Sequence, residues 1–356
     1  MTHVTLLKAP TTSPADVATP LAALTSYLST TASPSSGLLA VIGKTEGNGC
    51  VNDFSRTLAA HAWAPHLPAG AISIFSGGTE GVLSPHVTLL VTTPHPTGLV
   101  AAVGKTRAFA PWEVGAPAMA RAVAGCVRGL LAEGKIAEED VRLVLIKCPL
   151  LTSAKLAAAA REGRRCVTED TYESMARSRY SAAVGIGAAL GEIAEGDVDA
   201  AIERGDRWSA KASCSAGAEL EGCHVLVLAA TSTPARSGSG PLLRALTTPM
   251  RSALDSSTLL SVLERVRAEG GRVRQVFVKA EADPRGTLEG SGARHTMNTD
   301  SDLHSTRHAR AAVGGLVAGL VGDPHVYVSG GAEGQGPVGG GSLCVVYEVD
   351  GEKARL

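Results

Sequence analysis

Residues 76–81 read Ser-Gly-Gly-Thr-Glu-Gly, and residues 329–334 read Ser-Gly-Gly-Ala-Glu-Gly. Between them, residues 215–220 read Ser-Ala-Gly-Ala-Glu-Leu, which keeps the serine, the second glycine and the glutamate. The three strings start 139 and 114 residues apart, which is the spacing of whole structural units and not of a short-period solenoid. This echo makes the 356-residue chain a candidate triplication.

A second echo lies upstream of each string. Three apolar runs end on a lysine: LLAVIG before Lys44, VRLVLI before Lys147 and VRQVFV before Lys279. Each reads as a buried strand closed by a polar turn. Ser76 and Ser329 also follow strand-like runs (AISIF and HVYV), whereas WSAKASC before Ser215 does not read as one. Between each lysine and its serine comes a helix-like segment with an arginine after Ser or Thr: Arg56, Arg179 and Arg307. Nearby Asp and Ser residues supply N-caps, with Asp300 and Asp302 expected to cap the helix that carries Arg307. The order Lys, Arg, Ser thus recurs three times. Strands alternate with helices throughout, so each third reads as a small α+β or α/β unit. Turn-rich seams divide the chain into residues 1–104, 105–238 and 239–356.

Composition narrows the function. The formal charge is −1 and aromatic residues make up 3% of the chain, so neither a basic footprint nor a base-stacking platform for nucleic acid is expected. The longest uncharged stretches, Val17 to Gly43 and Gly81 to Gly104, are broken by prolines and polar residues and do not read as membrane spans. The N-terminus lacks the pattern of a signal peptide. Seven scattered cysteines with no C-x-x-C read as reduced thiols, so a cytoplasmic location is expected.

The recurring residue types make chemical sense together. A serine hydroxyl becomes a nucleophile when a neighbouring base takes its proton, and a lysine does this only when neutral. Burial and nearby arginines depress a lysine pKa towards that state. The backbone N–H groups of Ser-Gly-Gly form a nest for a developing oxyanion, and arginine forks bind carbonyl oxygens with defined geometry. Three such sets meeting on one axis suit a small polar ring with three similar faces.

The segments GKTEGNGCVND, SGGTEGVLSPH, KCPLLT, RHTMNTDSDLHSTRHARAAVGG and YVSGGAEGQGPVGGG, spread from residue 43 to 341, resemble the cyanuric acid hydrolase/barbiturase family of ring-opening amidohydrolases. The resemblance implies an α+β fold of three similar domains around a pseudo-threefold axis with one central active site, and three Lys–Ser pairs lining that pocket: Lys44 with Ser76, Lys147 with Ser215, and Lys279 with Ser329. It implies Arg56, Arg179 and Arg307 as the groups that hold the ring carbonyls, with Arg310 as the alternative to Arg307. Gly77, Ala216 and Gly330 complete the substrate-binding set. The family favours Lys147 as base and Ser215 as nucleophile; the residues themselves do not choose between Ser215 and Ser76. The implied reaction opens cyanuric acid to carboxybiuret, which loses carbon dioxide to give biuret, and it needs no redox or organic cofactor. A homotetramer is also implied.

The resemblance extends to a metal near the C-terminus. Glu281 would supply a carboxylate, with backbone carbonyls around Ala332, Gln335, Gly336, Pro337 and Gly340. Oxygen-only ligation suits Mg2+ or Ca2+, in the structural role of holding the loop beside Ser329. Gly334 stands where many relatives carry His.

Other residues invite sharper readings but favour plain ones. His304 and His308 are spaced i, i+4 without the Glu of H-E-x-x-H, so helix roles are expected. Ser84 and His86 lie too close in sequence to face each other productively, so a structural turn is expected. Cys214 has no histidine partner and reads as a packing residue. Barbituric acid is the alternative substrate on the same machinery. A non-catalytic binder of cyclic imides would not need the lysines, and an inert triplicated scaffold would tolerate alanine at every Lys and Ser.

Overall fold

The computed structural model describes residues 1–31, 37–231 and 242–350. Its strands form three four-stranded sheets of the same design. The first contains β1 (Val4–Pro10), β2 (Leu38–Thr45), β3 (Ile72–Gly77) and β4 (His86–Thr92), in the order β1-β4-β2-β3. The second contains β5 (Leu99–Lys105), β6 (Val141–Pro149), β7 (Ala212–Gly217) and β8 (His224–Ala230), in the order β5-β8-β6-β7. The third contains β9 (Leu242–Met250), β10 (Arg272–Ala280), β11 (Tyr327–Gly330) and β12 (Gly341–Val349), in the order β9-β12-β10-β11. In each sheet the second and third strands in chain order run parallel, and the other pairs are antiparallel. Even the irregularities repeat: the register shifts at Leu38/Ala40, Val141/Leu143 and Val273/Gln275, at or near the start of each lysine-bearing strand.

A parallel pair needs a crossover, and helices provide it. α2 (Phe54–Trp63) joins β2 to β3, α4 (Ser153–Arg161), α5 (Thr171–Ala189) and α6 (Val198–Arg204) join β6 to β7, and α8 (Ser305–Val321) joins β10 to β11. α1 (Ala18–Thr31), α3 (Pro117–Gly134) and α7 (Ser256–Ala268) follow the first strand of each sheet. Asp53, Asp170 and Asp255 cap α2, α5 and α7 by accepting from backbone N–H groups, as such residues do at N-termini. α8 departs from expectation, because its cap is His304, which accepts from the Thr306 N–H. Asp300 instead accepts from the Asp302 and Leu303 N–H groups and meets His308, which fixes the turn ahead of the helix.

Each sheet is buried on both faces, which explains why the strands read as continuous apolar runs. Val41 and Leu89 face the helices of the first unit, Val144 and Ile146 those of the second, and Val276 and Val278 those of the third. The alternate residues Ile42, Ile74, Leu143, Leu145, Phe277 and Tyr327 meet in one central core shared by all three sheets.

Two expectations change. Residues 212–217 form β7, although WSAKASC does not read as a strand; pairing with β6 and cover from α5 supply the apolar setting that local sequence lacks. Strand β5, residues 99–105, pairs with the second sheet, so strand pairing changes partner before residue 99 and not at 104/105. The expected 238/239 boundary lies outside the described residues.

Candidate active site

Side chains alternate along a strand, so the positions two beyond a central-core residue face the same way. Lys44 follows Ile42, Lys147 follows Leu145, and Lys279 follows Phe277. Ser76 and Ser329 likewise follow the core residues Ile74 and Tyr327, and Ser215 follows Cys214, which faces the other way. The register then sets each lysine directly beside its serine: Lys44 by Ser76, Lys147 by Ser215 and Lys279 by Ser329. All six are buried at the same end of their sheets.

The lysines also bridge the units. Lys279 Nζ donates to Ser329 Oγ at 3.0 Å, to the Gly330 carbonyl at 3.2 Å and to the Cys214 carbonyl of the second unit at 2.8 Å. Lys44 Nζ donates to Ser76 Oγ at 3.3 Å and to the Gly77 carbonyl at 3.1 Å. Lys147 Nζ donates to the Ala216 carbonyl at 3.3 Å and across to the Phe75 carbonyl of the first unit at 2.7 Å. Its third contact is the Glu219 carboxylate at 3.0 Å, not Ser215. Ser76 Oγ meets Ser329 Oγ at 3.4 Å. Ser215 Oγ and the Tyr327 hydroxyl are buried, and neither meets a hydrogen-bond partner of good geometry among the described residues.

Burial pushes all three lysines down, because a low-dielectric setting disfavours the ammonium. Arg310 and burial hold Lys44 well below the ordinary lysine range. Burial and Arg179 bring Lys279 to about 7. Lys147 falls to about 8, with burial opposed by the Glu219 charge.

The arginines repeat as well. Arg179 on α5 pairs bidentately with Glu333, at 2.8 and 2.7 Å. Arg310 on α8 pairs in the same way with Glu80. A Cβ on Gly331 would stand 2.4 Å from the Arg179 guanidinium, and one on Gly78 would stand 2.4 Å from that of Arg310. Both glycines have positive φ, so an L side chain there is excluded by backbone and by space together. Arg310, not Arg307, therefore occupies the place that matches Arg179. Arg307 lies one turn nearer the helix start and is only partly buried. Arg56 on α2 donates to the Ala216 carbonyl at 2.7 Å and the Cys50 carbonyl at 2.6 Å.

The glutamates went unassigned as site residues, although each sits four positions after its serine in the repeated string. Glu80 of the first unit takes the arginine of the third, and Glu333 of the third takes that of the second. By the same rotation Glu219 would take Arg56; it faces Lys147 instead, and both its oxygens lack a well-formed hydrogen bond.

Glu281 accepts from the Gly339 N–H at 3.0 Å, which places its carboxylate against the 332–340 loop. Burial and the Glu333 charge push it up to about 7. The Gln335 side chain bridges from the Cys214 N–H to the Gly331 carbonyl, tying this loop to β7. Among the described residues no three His, Cys, Asp or Glu side chains cluster as a metal site. Glu281 offers a carboxylate beside a loop rich in backbone carbonyls, a hard-oxygen donor set.

The plainer readings hold. His86 donates from Nδ1 to the Ser84 carbonyl (2.9 Å) and does not meet the Ser84 hydroxyl, and burial lowers its pKa to about 3. His308 meets Asp300 at 2.9 Å, and His304 meets the Tyr172 hydroxyl at 3.0 Å. Cys214 is buried in the core of the second unit. No helix among the described residues is long and apolar enough to cross a membrane.

The model of the amidohydrolase ring-opening protein family matches residues 5–348. A cyanuric acid amidohydrolase of Sarocladium sp. is 56% identical over 98% of this chain and 99% of its own length. That of Pseudomonas sp. strain ADP is 38% identical over 97% of this chain and 99% of its own. A crystal structure of the cyanuric acid hydrolase from A. caulinodans superposes with a TM-score of 0.87 at 39% identity, covering 98% of this chain and all of that one. A second cyanuric acid hydrolase structure, described as an innovation by structural concatenation, gives 0.85 at 37% identity over 97% of this chain and 99% of that one. A family model matched over residues 5–348 and full-length likeness in sequence and fold have one reading: the chain belongs to the ring-opening amidohydrolase family.

Proposed function

We propose that this chain opens the ring of cyanuric acid by hydrolysis, with Ser215 as nucleophile and Lys147 as its base. The observation that carries the reading is the threefold register of buried lysine beside buried serine on one axis, ringed by three arginines. A planar ring with three carbonyls and three N–H groups matches that symmetry. Arg56, Arg179 and Arg310 hold the carbonyl oxygens, and the backbone N–H groups at Gly77, Ala216 and Gly330 face the charge that develops on them.

Neutral Lys147 removes the Ser215 proton as Oγ attacks a ring carbonyl. The tetrahedral intermediate expels the ring nitrogen, which takes the proton back from Lys147, and the C–N bond opens. Water, deprotonated by the same lysine, then releases the acyl group from Ser215. The product is carboxybiuret, which loses carbon dioxide to leave biuret. Ser215 is favoured because its hydroxyl is uncommitted, whereas Ser76 and Ser329 accept from their own lysines and meet each other.

A hard divalent cation, Mg2+ or Ca2+, fits beside Glu281 and the carbonyls of Ala332, Gln335, Gly336, Pro337 and Gly340. It would neutralise the Glu281–Glu333 repulsion and stiffen the loop that carries Ser329 and Glu333. A homotetramer and a cytoplasmic setting, the latter in keeping with seven free cysteines, complete the proposal.

The test is turnover of cyanuric and barbituric acids side by side. Release of carbon dioxide and biuret from cyanuric acid is expected. Turnover of barbituric acid alone would overturn the substrate, and stoichiometric binding of either without ring opening would overturn the reaction.

A further inference from the structure

The rotation that relates the three units fails at one residue. Glu80 and Glu333 are each committed to an arginine of a neighbouring unit. Glu219, at the same place in its string, is committed to a lysine of its own unit. Lys147 Nζ donates to the Phe75 and Ala216 carbonyls and stands in ion-pair contact with the Glu219 carboxylate at 3.0 Å. A carboxylate in contact with Nζ favours the ammonium over the neutral amine, and an ammonium has no lone pair to offer Ser215. Among the described residues Lys44 and Lys279 have no such carboxylate contact, and both touch their serines.

We propose that Glu219 is a positioning residue that parks Lys147 as an ammonium away from Ser215 in the free enzyme, and thereby sets the pH above which this pair becomes competent. The inference rests on the assignment of Lys147 and Ser215 made above. The other charged and titratable groups facing Lys147 are known. Arg56 and Asp53 reach it from α2, with charges that act in opposite directions. His224 is its cross-strand neighbour on β8, held neutral by burial, with its ring bonded to the Ser73 carbonyl at 2.8 Å. Cys148 is next to it on β6. Of these, Glu219 alone is a carboxylate in contact with Nζ.

Removing a negative charge beside an ammonium destabilises it, so the lysine loses its proton at lower pH. The experiment is kcat/KM for cyanuric acid against pH in wild type, Glu219→Gln, Glu219→Asp and Glu80→Gln. The acid limb moves down by about one pH unit in Glu219→Gln, and by less in Glu219→Asp, which keeps the charge at a longer reach. Glu80→Gln raises KM through Arg310 and leaves the limb in place. A limb unmoved in Glu219→Gln, with the rate lowered evenly at every pH, would overturn the proposal, as would an equal shift in Glu80→Gln. If Glu219→Gln does not fold, Glu219→Asp carries the test alone, and an unmoved limb there overturns it. A wild type inert on cyanuric acid defeats the functional reading and this one with it; an active wild type with an unmoved limb defeats this one only.

Discussion

The first and third Lys–Ser pairs are closed, and the second is open. Lys44 and Lys279 bond to their serines, and those serines meet across the axis, while Lys147 turns to Glu219 and leaves the Ser215 hydroxyl unpartnered. Backbone register is the same in all three, so the difference is not one of fold. Strand pairing brings three equivalent pairs to one place, and a single carboxylate contact makes one of them unlike the others. Symmetry suits the binding of a threefold ring, whereas attack needs only one nucleophile, so the asymmetric pair is the one to expect at the chemistry.

The comparison breaks most readily at the serines. Ser215→Ala and Lys147→Ala are expected to lower kcat by about a thousandfold or more, the scale of losing a covalent nucleophile or its base. Ser76→Ala and Ser329→Ala are expected to cost about tenfold, through weaker binding of the ring. Steady-state kinetics on the four variants check this, and an equal loss at Ser76 would show the open pair to be no different from the closed ones.

The arginines sharpen it next. Arg310→Ala should lower kcat/KM by about a hundredfold, since a charged fork to a carbonyl oxygen and a filled bond to Glu80 are both lost. Arg307→Ala, one turn away and outside the set of paired arginines, should change it by less than about threefold. The reverse order would return the ring-binding role to Arg307.

The wild type itself responds to pH through the open pair. A lysine brought down to about 8 is charged below that pH and cannot accept the serine proton. Its neutral fraction falls about tenfold per pH unit on the acid side, so kcat/KM should rise with pH and level off above about 8. A pH–rate profile that is flat from pH 6 to 9, roughly the range in which such a base titrates, would remove Lys147 as the base.

Much of this was legible in the chain. Three serine strings, three lysines at the ends of apolar runs and the threefold order of Lys, Arg and Ser imply a triplicated α+β fold, because alternation along a strand and capping at a helix start are local effects that neighbouring residues dictate. Three matters were not. WSAKASC forms β7 because β6 and α5 cover it, and a strand made by its partners leaves little trace in its own residues. Arg307 and Arg310 lie one turn apart on the same helix, and only the packing of α8 decides that Arg310 is the one to reach Glu80. Glu219 departs from Glu80 and Glu333 although all three occupy the same position in the string. Which partner each takes depends on where Arg56, Arg179, Arg310 and Lys147 end in space, and a Coulomb contact between distant parts of the chain exists only once the three sheets have closed around their common core.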